Sequence, residues 1–199
     1  MSKAERMEEV ASQVRVCVKC DLWKSRHRAV PGEGNVDTAV LFVGEAPGYW
    51  EDLKGRPFVG AAGKLLDSLL LGIGLPRGEV FITNVVKCRP PENRAPRPIE
   101  VETCTPYLDR QVRLIQPRFV ATLGRHSAAY VFSKAGLGGV ESITSVRGRV
   151  YQASLLNLPV LLVPMYHPAA VLHNPRYRDE LQRDFELLRA ELKKHGCVG

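Results

Sequence analysis

Four cysteines are the first residues in this chain whose type and spacing could do chemistry. Cys17-Val-Lys-Cys20 is a CxxC pair, and Cys88 and Cys104 follow much later. Their thiols can meet only if the fold brings the N-terminal segment against the stretch around residues 88–104. A structural zinc site usually draws on two close pairs. One close and one loose pair, set among cations such as Arg26, Lys87, Arg89 and Arg94, suit instead an anionic [4Fe-4S] cluster whose charge the cations offset. Zinc, or unligated thiols buried as small hydrophobes, are the alternatives on spacing alone. Cys197, close to the C-terminus, is expected in a frayed tail outside any ligand set.

Three other groups carry functional potential because of where they fall. Gly44-Glu45-Ala46-Pro47-Gly48 follows one apolar run, Asn84 ends a second, and Tyr166-His167-Pro168 follows a last one. The apolar runs 38–43, 80–85, 119–123 and 160–163 read as four buried strands. Helical patterns lie between them at 61–71, 98–115 (with Pro106 as a kink or break) and 125–132. A final helix is expected with Asn174 as cap, Pro175 in its first position, and Tyr177, Leu181, Phe185, Leu188 and Leu192 on one face. The Gly- and Ser-rich stretch 134–152 offers a hairpin at Arg147-Gly148-Arg149.

Alternating strands and helices predict an α/β fold. It should be one domain over 1–199, a three-layer α/β/α sandwich around a central four-stranded, mainly parallel sheet. Ligands of such sheets collect beyond the carboxyl ends of the strands. A glycine loop, an amide and an imidazole should therefore converge on one rim.

Composition narrows the class. The chain has 199 residues, 45% hydrophobic and 25% charged, which is ordinary globular usage and excludes disordered and collagen-like chains. No apolar run approaches the ~20 residues needed to span a bilayer, and residues 1–16 lack a signal-peptide core. A soluble, cytoplasmic protein without a disulfide framework is expected. The 28 Lys and Arg against 21 Asp and Glu give a formal charge of +7, the sign of a polyanion binder, although solubility alone would also account for it.

Longer motifs turn these hints into a family. Gly44-Glu45-Ala46-Pro47-Gly48, Glu51-Asp52 and Gly55-Arg56-Pro57-Phe58-Val59-Gly60-Ala61-Ala62-Gly63 together resemble the first signature of the family 4 uracil-DNA glycosylases. Ile82-Thr83-Asn84-Val85-Val86-Lys87-Cys88-Arg89-Pro90-Pro91 resembles the second, and His167-Pro168-Ala169-Ala170-Val171-Leu172 the third. Cys17, Cys20, Cys88 and Cys104 fall where that family ligates a [4Fe-4S] cluster.

The resemblance implies an enzyme that flips deoxyuridine out of DNA and hydrolyses its N-glycosidic bond, leaving an abasic site. It implies that Phe58 stacks on the base, that Asn84 reads its edge, and that His167 stabilises the leaving uracilate at O2. Family 1 enzymes hold the attacking water on an aspartate where this chain has Ala46. A dissociative route follows, with Glu45 orienting the water and the amides of Glu45 and Ala46 facing O2. Gly48 replaces the tyrosine that excludes thymine in family 1, leaving Glu51 to screen the methyl group; a solvated pair or helix cap at Glu51-Asp52 is the bland alternative. Trp50 is placed either against DNA or in packing. Asn93 is expected at a phosphate or bridging to the first motif, Leu172 as the wedge in the vacated stack, and Arg176 and Arg178 on phosphates.

The implied partner is uracil-containing DNA, single- or double-stranded, bound by a monomer, with a sliding clamp left open. A broader glycosylase accepting hypoxanthine and a non-catalytic, metal-containing nucleic-acid-binding module are the competing readings.

Overall fold

The computed structural model describes residues 1–198. In chain order its elements are α1 (Lys3–Arg15), β1 (Glu33–Gly34), β2 (Val40–Gly44), α2 (Tyr49–Lys54), α3 (Ala61–Gly72), β3 (Phe81–Asn84), α4 (Pro98–Ile115), β4 (Phe119–Leu123), α5 (Arg125–Lys134), α6 (Ile143–Val146), β5 (Tyr151–Leu155), β6 (Leu158–Met165), α7 (Pro168–His173) and α8 (Arg178–Lys194).

The sheet has six strands, not four, in the order β1-β3-β2-β4-β6-β5. The four expected strands form its parallel centre, and β1 and β5 add antiparallel edges. The edges escape sequence reading for local reasons. β1 is two residues long, and Tyr-Gln-Ala-Ser-Leu of β5 is a mixed segment with one face open to solvent. The hairpin is also displaced from 147–149. It turns at Leu156-Asn157, whose φ values of 53° and 68° are those of a two-residue type I′ turn.

Alternation on β2 divides the core. Leu41 and Val43 face a cluster with Val10 and Val14 of α1, Leu108 and Val112 of α4, and Val131 of α5. Val40 and Phe42 face Leu66 and Leu70 of α3 and Leu181, Phe185 and Leu188 of α8. The three-layer sandwich follows from that division. Cys197 packs against the second cluster and its amide bonds the Leu192 carbonyl at 2.9 Å, so it is half-buried and not frayed.

Two helix expectations change. α4 runs unbroken through Pro106, which leaves the Glu102 carbonyl without its helical donor; the Thr105 hydroxyl donates to it at 3.4 Å. Asn174 caps the short 3-10 turn Pro175–Tyr177 through the Arg176 amide, and α8 begins only at Arg178. The N-terminal segment forms α1, closed by a capping box in which Ser2 and Glu5 exchange hydrogen bonds.

Phe185 is 1% exposed and stacks on Phe42 with ring centroids 6.0 Å apart, fixing α8 to the sheet. Phe185→Ala should cost about 3–5 kcal/mol of stability, read as a lowered denaturation midpoint at unchanged m-value.

Candidate active site

The sheet order reverses at β2, with β3 on one side and β4 on the other, and the ends of the parallel strands meet at one rim there. A cavity of about 440 Å³ opens at this rim, with Glu45, Ala46, Glu51, Phe58, Asn84, Asn93 and His167 all in its lining. The sequence placed each of those seven in the site. The structure brings them together from five separate stretches of chain.

Phe58 lies on the floor. It is 5% exposed, holds a left-handed φ of 49°, and stacks against the His167 ring at 5.4 Å between centroids and 29° between planes. An aromatic residue keeps that backbone only where its surroundings impose it. Here the Glu51 carboxylate accepts from the Val59 and Gly60 amides at 2.8 and 2.9 Å, and Arg77 donates to the Phe58 carbonyl at 3.0 Å. Close approach of glycines does the rest. A Cβ on Gly63 would stand 1.9 Å from the Phe58 carbonyl oxygen, and one on Gly44 would stand 2.7 Å from the Phe58 ring.

Asn84 ends β3 beside Phe58 and is 2% exposed. Its Oδ1 is buried without a hydrogen-bond partner. An orphaned acceptor in a buried amide costs about 1–3 kcal/mol, so its place in a ligand cavity points to a donor supplied by the ligand. Beneath it, the fully buried Lys87 donates to the Asn84 carbonyl at 2.8 Å and to Gln111 at 2.6 Å, which fixes the strand end.

His167 follows β6. Its Nδ1 accepts from the Ala169 amide at 3.0 Å, so the proton of the neutral ring sits on Nε2. Burial pushes its pKa down to about 4, which keeps the ring neutral at physiological pH. Gly124, with φ 92°, keeps the chain after β4 clear of His167: a Cβ there would stand 3.2 Å from the His167 Cβ.

The remaining polar and exposed residues have partners or positions of their own. Asp52 is not a solvated partner of Glu51: it is fully buried and accepts from the His27 amide at 2.9 Å, with the His27 ring at 2.7 Å. Asn93 accepts from Arg89 at 2.7 Å, and that guanidinium lies over the Tyr49 ring at 5.3 Å, which makes the bridge to the first motif. Trp50 and Leu172 are exposed at 54% and 48%, and Arg176 and Arg178 are exposed as well.

Sequence reasoning missed Arg125 and His126, which follow the end of β4 and face Glu45, and His173, which lines the cavity. The strand-end rule reaches the first pair once 119–123 is read like the other strands. Nothing local marks Lys87 or Arg77, because their roles depend on partners far along the chain.

Cys17, Cys20, Cys88 and Cys104 line a second, smaller cavity between the N-terminal segment, the chain after β3, and α4. Arg26 donates to the Cys88 sulfur at 3.1 Å and the Lys87 amide to the Cys104 sulfur at 3.2 Å. Burial pushes the Cys104 thiol up to about 12. Among the described residues, no group of three or more His, Cys, Asp and Glu side chains is gathered closely enough to hold one metal ion. Cys197 stands apart, on the other face of the sheet.

The model of the uracil DNA glycosylase superfamily matches residues 31–193. The chain belongs to that superfamily. It is 52% identical to the type-4 uracil-DNA glycosylase of Sulfurisphaera tokodaii over 93% of this chain and 84% of the relative. Against the type-4 enzymes of Archaeoglobus fulgidus and Thermotoga maritima it is 48% and 40% identical, over 92% and 98% of this chain and 91% and 99% of theirs. These relatives bear out the family 4 resemblance. No described helix is long and apolar enough to cross a membrane.

Because a methyl group at residue 63 would collide with the Phe58 carbonyl, Gly63→Ala should displace the aromatic floor. Single-turnover excision of uracil should fall at least about tenfold, a loss of roughly 1.4 kcal/mol in transition-state stabilisation, while affinity for undamaged DNA changes little.

Proposed function

We propose that this chain performs its family's reaction, excision of uracil from DNA, with Phe58, Asn84, His167 and Glu45 in separate roles. The Asn84 amide, which lines the cavity and whose buried Oδ1 has no partner in the protein, carries this reading. A uracil extruded from the helix offers N3–H to that oxygen and O4 to the Asn84 amide nitrogen. Cytosine presents the opposite pattern on the same edge, an unprotonated N3 and a donating amino group, and meets a mismatch at both atoms. Extrusion is a physical requirement, because neither that edge nor the glycosidic bond is accessible in a stacked duplex.

Phe58 supplies the stacking face, which contributes about 1–3 kcal/mol per base. As the bond to the sugar breaks, its electron pair stays on uracil and charge grows at O2. The Nε2–H of His167 donates there, and a donor already in place is strongest where charge develops. A neutral imidazole suffices, so the low pKa is compatible with the role. Ala46 has no group to hold water, and Glu45 is left to orient the water that adds to the sugar cation. Glu51 lines the same cavity, which suits a role in screening out the thymine methyl, while it holds the Phe58 loop. Asn93 shapes the wall. Leu172, exposed on α7, fits the wedge that fills the vacated stack, and Arg176 fits a phosphate contact.

Cys17, Cys20, Cys88 and Cys104 fit a [4Fe-4S] cluster. Four thiols from three chain segments surround one cavity, and two of them accept hydrogen bonds from Arg26 and the Lys87 amide, donors that suit sulfurs carrying cluster charge. Bound there, the group would supply a cross-link between α1, the chain after β3 and α4; glycosidic hydrolysis has no redox step. Protein prepared without oxygen should therefore carry iron and sulfide in cluster proportion. Replacing any one of the four cysteines with serine should lower both iron content and melting temperature, and Cys197→Ser should lower neither; zinc in place of iron would overturn the assignment.

Variants of Asn84 and His167 should fail in different ways. Asn84→Asp replaces the amide donor by an acceptor that repels O4, so uracil excision should collapse. His167→Ala should bind uracil-containing DNA normally and lose on the order of 10²- to 10³-fold in single-turnover rate, the size of one lost oxyanion donor. Wild-type rates in His167→Ala would refute the mechanism.

A further inference from the structure

The mechanism leaves one titratable side chain beside the cavity without a task. α5 starts at Arg125 directly after Gly124, and its second residue, His126, places Nε2 3.8 Å from the Glu45 carboxylate. Arg125 reaches the same ring nitrogen at 3.3 Å. The separation of 3.8 Å is too long for a hydrogen bond and right for an ion pair or a bridging water. Both side chains remain in contact with solvent, at 44% for His126 and 31% for Glu45.

We propose that His126 is a positioning residue for Glu45, holding its carboxylate ionised and in place to orient the attacking water. This rests on the reading of Glu45 as the group that orients that water. The step balances simply. The C1′–N1 pair leaves with uracil, water oxygen bonds C1′, and the water proton passes to Glu45 and from its partly exposed carboxylate to solvent; the uracil anion is protonated after release.

The electrostatics around Glu45 support the pairing. Burial pushes its carboxyl up, and His126 and then Arg125 oppose that push. The other ionisable groups of the cavity are Glu51 from α2, Arg94 from the chain after β3, and His167 and His173 at the two ends of α7. Glu51 is engaged with backbone amides, Arg94 pairs with Glu100 at 2.7 Å, and His167 stays neutral through the mildly acidic range. His126 and Arg125 are the groups that oppose the effect of burial on the carboxyl.

The sign of the pH effect follows. Burial pushes the Glu45 carboxyl up and His126 opposes that push, so without His126 the carboxylate takes up its proton at higher pH. Single-turnover uracil excision should be measured across pH for wild type, His126→Gln, His126→Lys and Glu45→Gln. The proposal expects the acid limb of His126→Gln to move up by about one pH unit, the low end of what a nearby opposite charge does, with an unchanged plateau at alkaline pH. His126→Lys, a permanent cation, should restore the limb, which a merely structural role would not do. An unmoved limb in His126→Gln, or no restoration by Lys, overturns the proposal while a slow Glu45→Gln keeps the reading of Glu45. A Glu45→Gln variant at the wild-type rate removes that reading, and the proposal with it.

Discussion

The pocket depends on backbone coming closer than any side chain would permit. At Gly44 a Cβ would lie 2.3 Å from the Asn84 amide oxygen and 2.7 Å from the Phe58 ring. Phe58 and the Asn84 amide are therefore adjacent because the end of β2 has no side chain. Gly63 applies the same constraint from below. The left-handed backbone of Phe58 is held by these contacts together with Glu51 and Arg77, and the aromatic face is set before a base arrives. Preorganisation of this kind removes the cost of ordering the loop at the moment of binding.

Buried polar groups then tie the distant segments to the rim. Lys87 donates to the carbonyl of Asn84 through its side chain and to the sulfur of Cys104 through its amide, so the end of β3 and the cysteine cavity share one residue. Asp184 of α8 receives Arg147 in a two-pronged pair at 2.7 and 3.0 Å and also accepts from the Tyr166 amide, one residue before His167. Asp52 anchors the segment that follows the CxxC pair to α2. Leaving any such group unpaired in the interior is costly, which is why these links specify one arrangement of the loops.

The strand-end glycines, Asn84 and His167 were legible in the sequence because their types, motifs and positions after apolar runs are local facts. The cysteine set was legible as residues, and the structure adds that all four surround one cavity and that Arg26 and the Lys87 amide reach their sulfurs. The edge strands were not legible, since two residues in β1 and an open face in β5 leave no apolar period to read. The missed cap of α8 has a similar origin. Asn174 and Pro175 carry a helix-start signature, and the chain spends it on a 3-10 turn before the long helix begins.

Sequence alone determined the family, the four central strands and the glycine loop, amide and imidazole at their ends, because each is encoded in short-range pattern and residue type. Tertiary structure alone decided how the site is wired: Glu51 as the latch of the Phe58 loop, Asp52 as a buried anchor, the tautomer of His167, and His126 opposite Glu45. Apart from the His167 tautomer, which the Ala169 amide two residues on selects, these are contacts between separate loops or the ends of different strands. Their energies depend on distance and burial, which exist only once the sheet has brought the strand ends together.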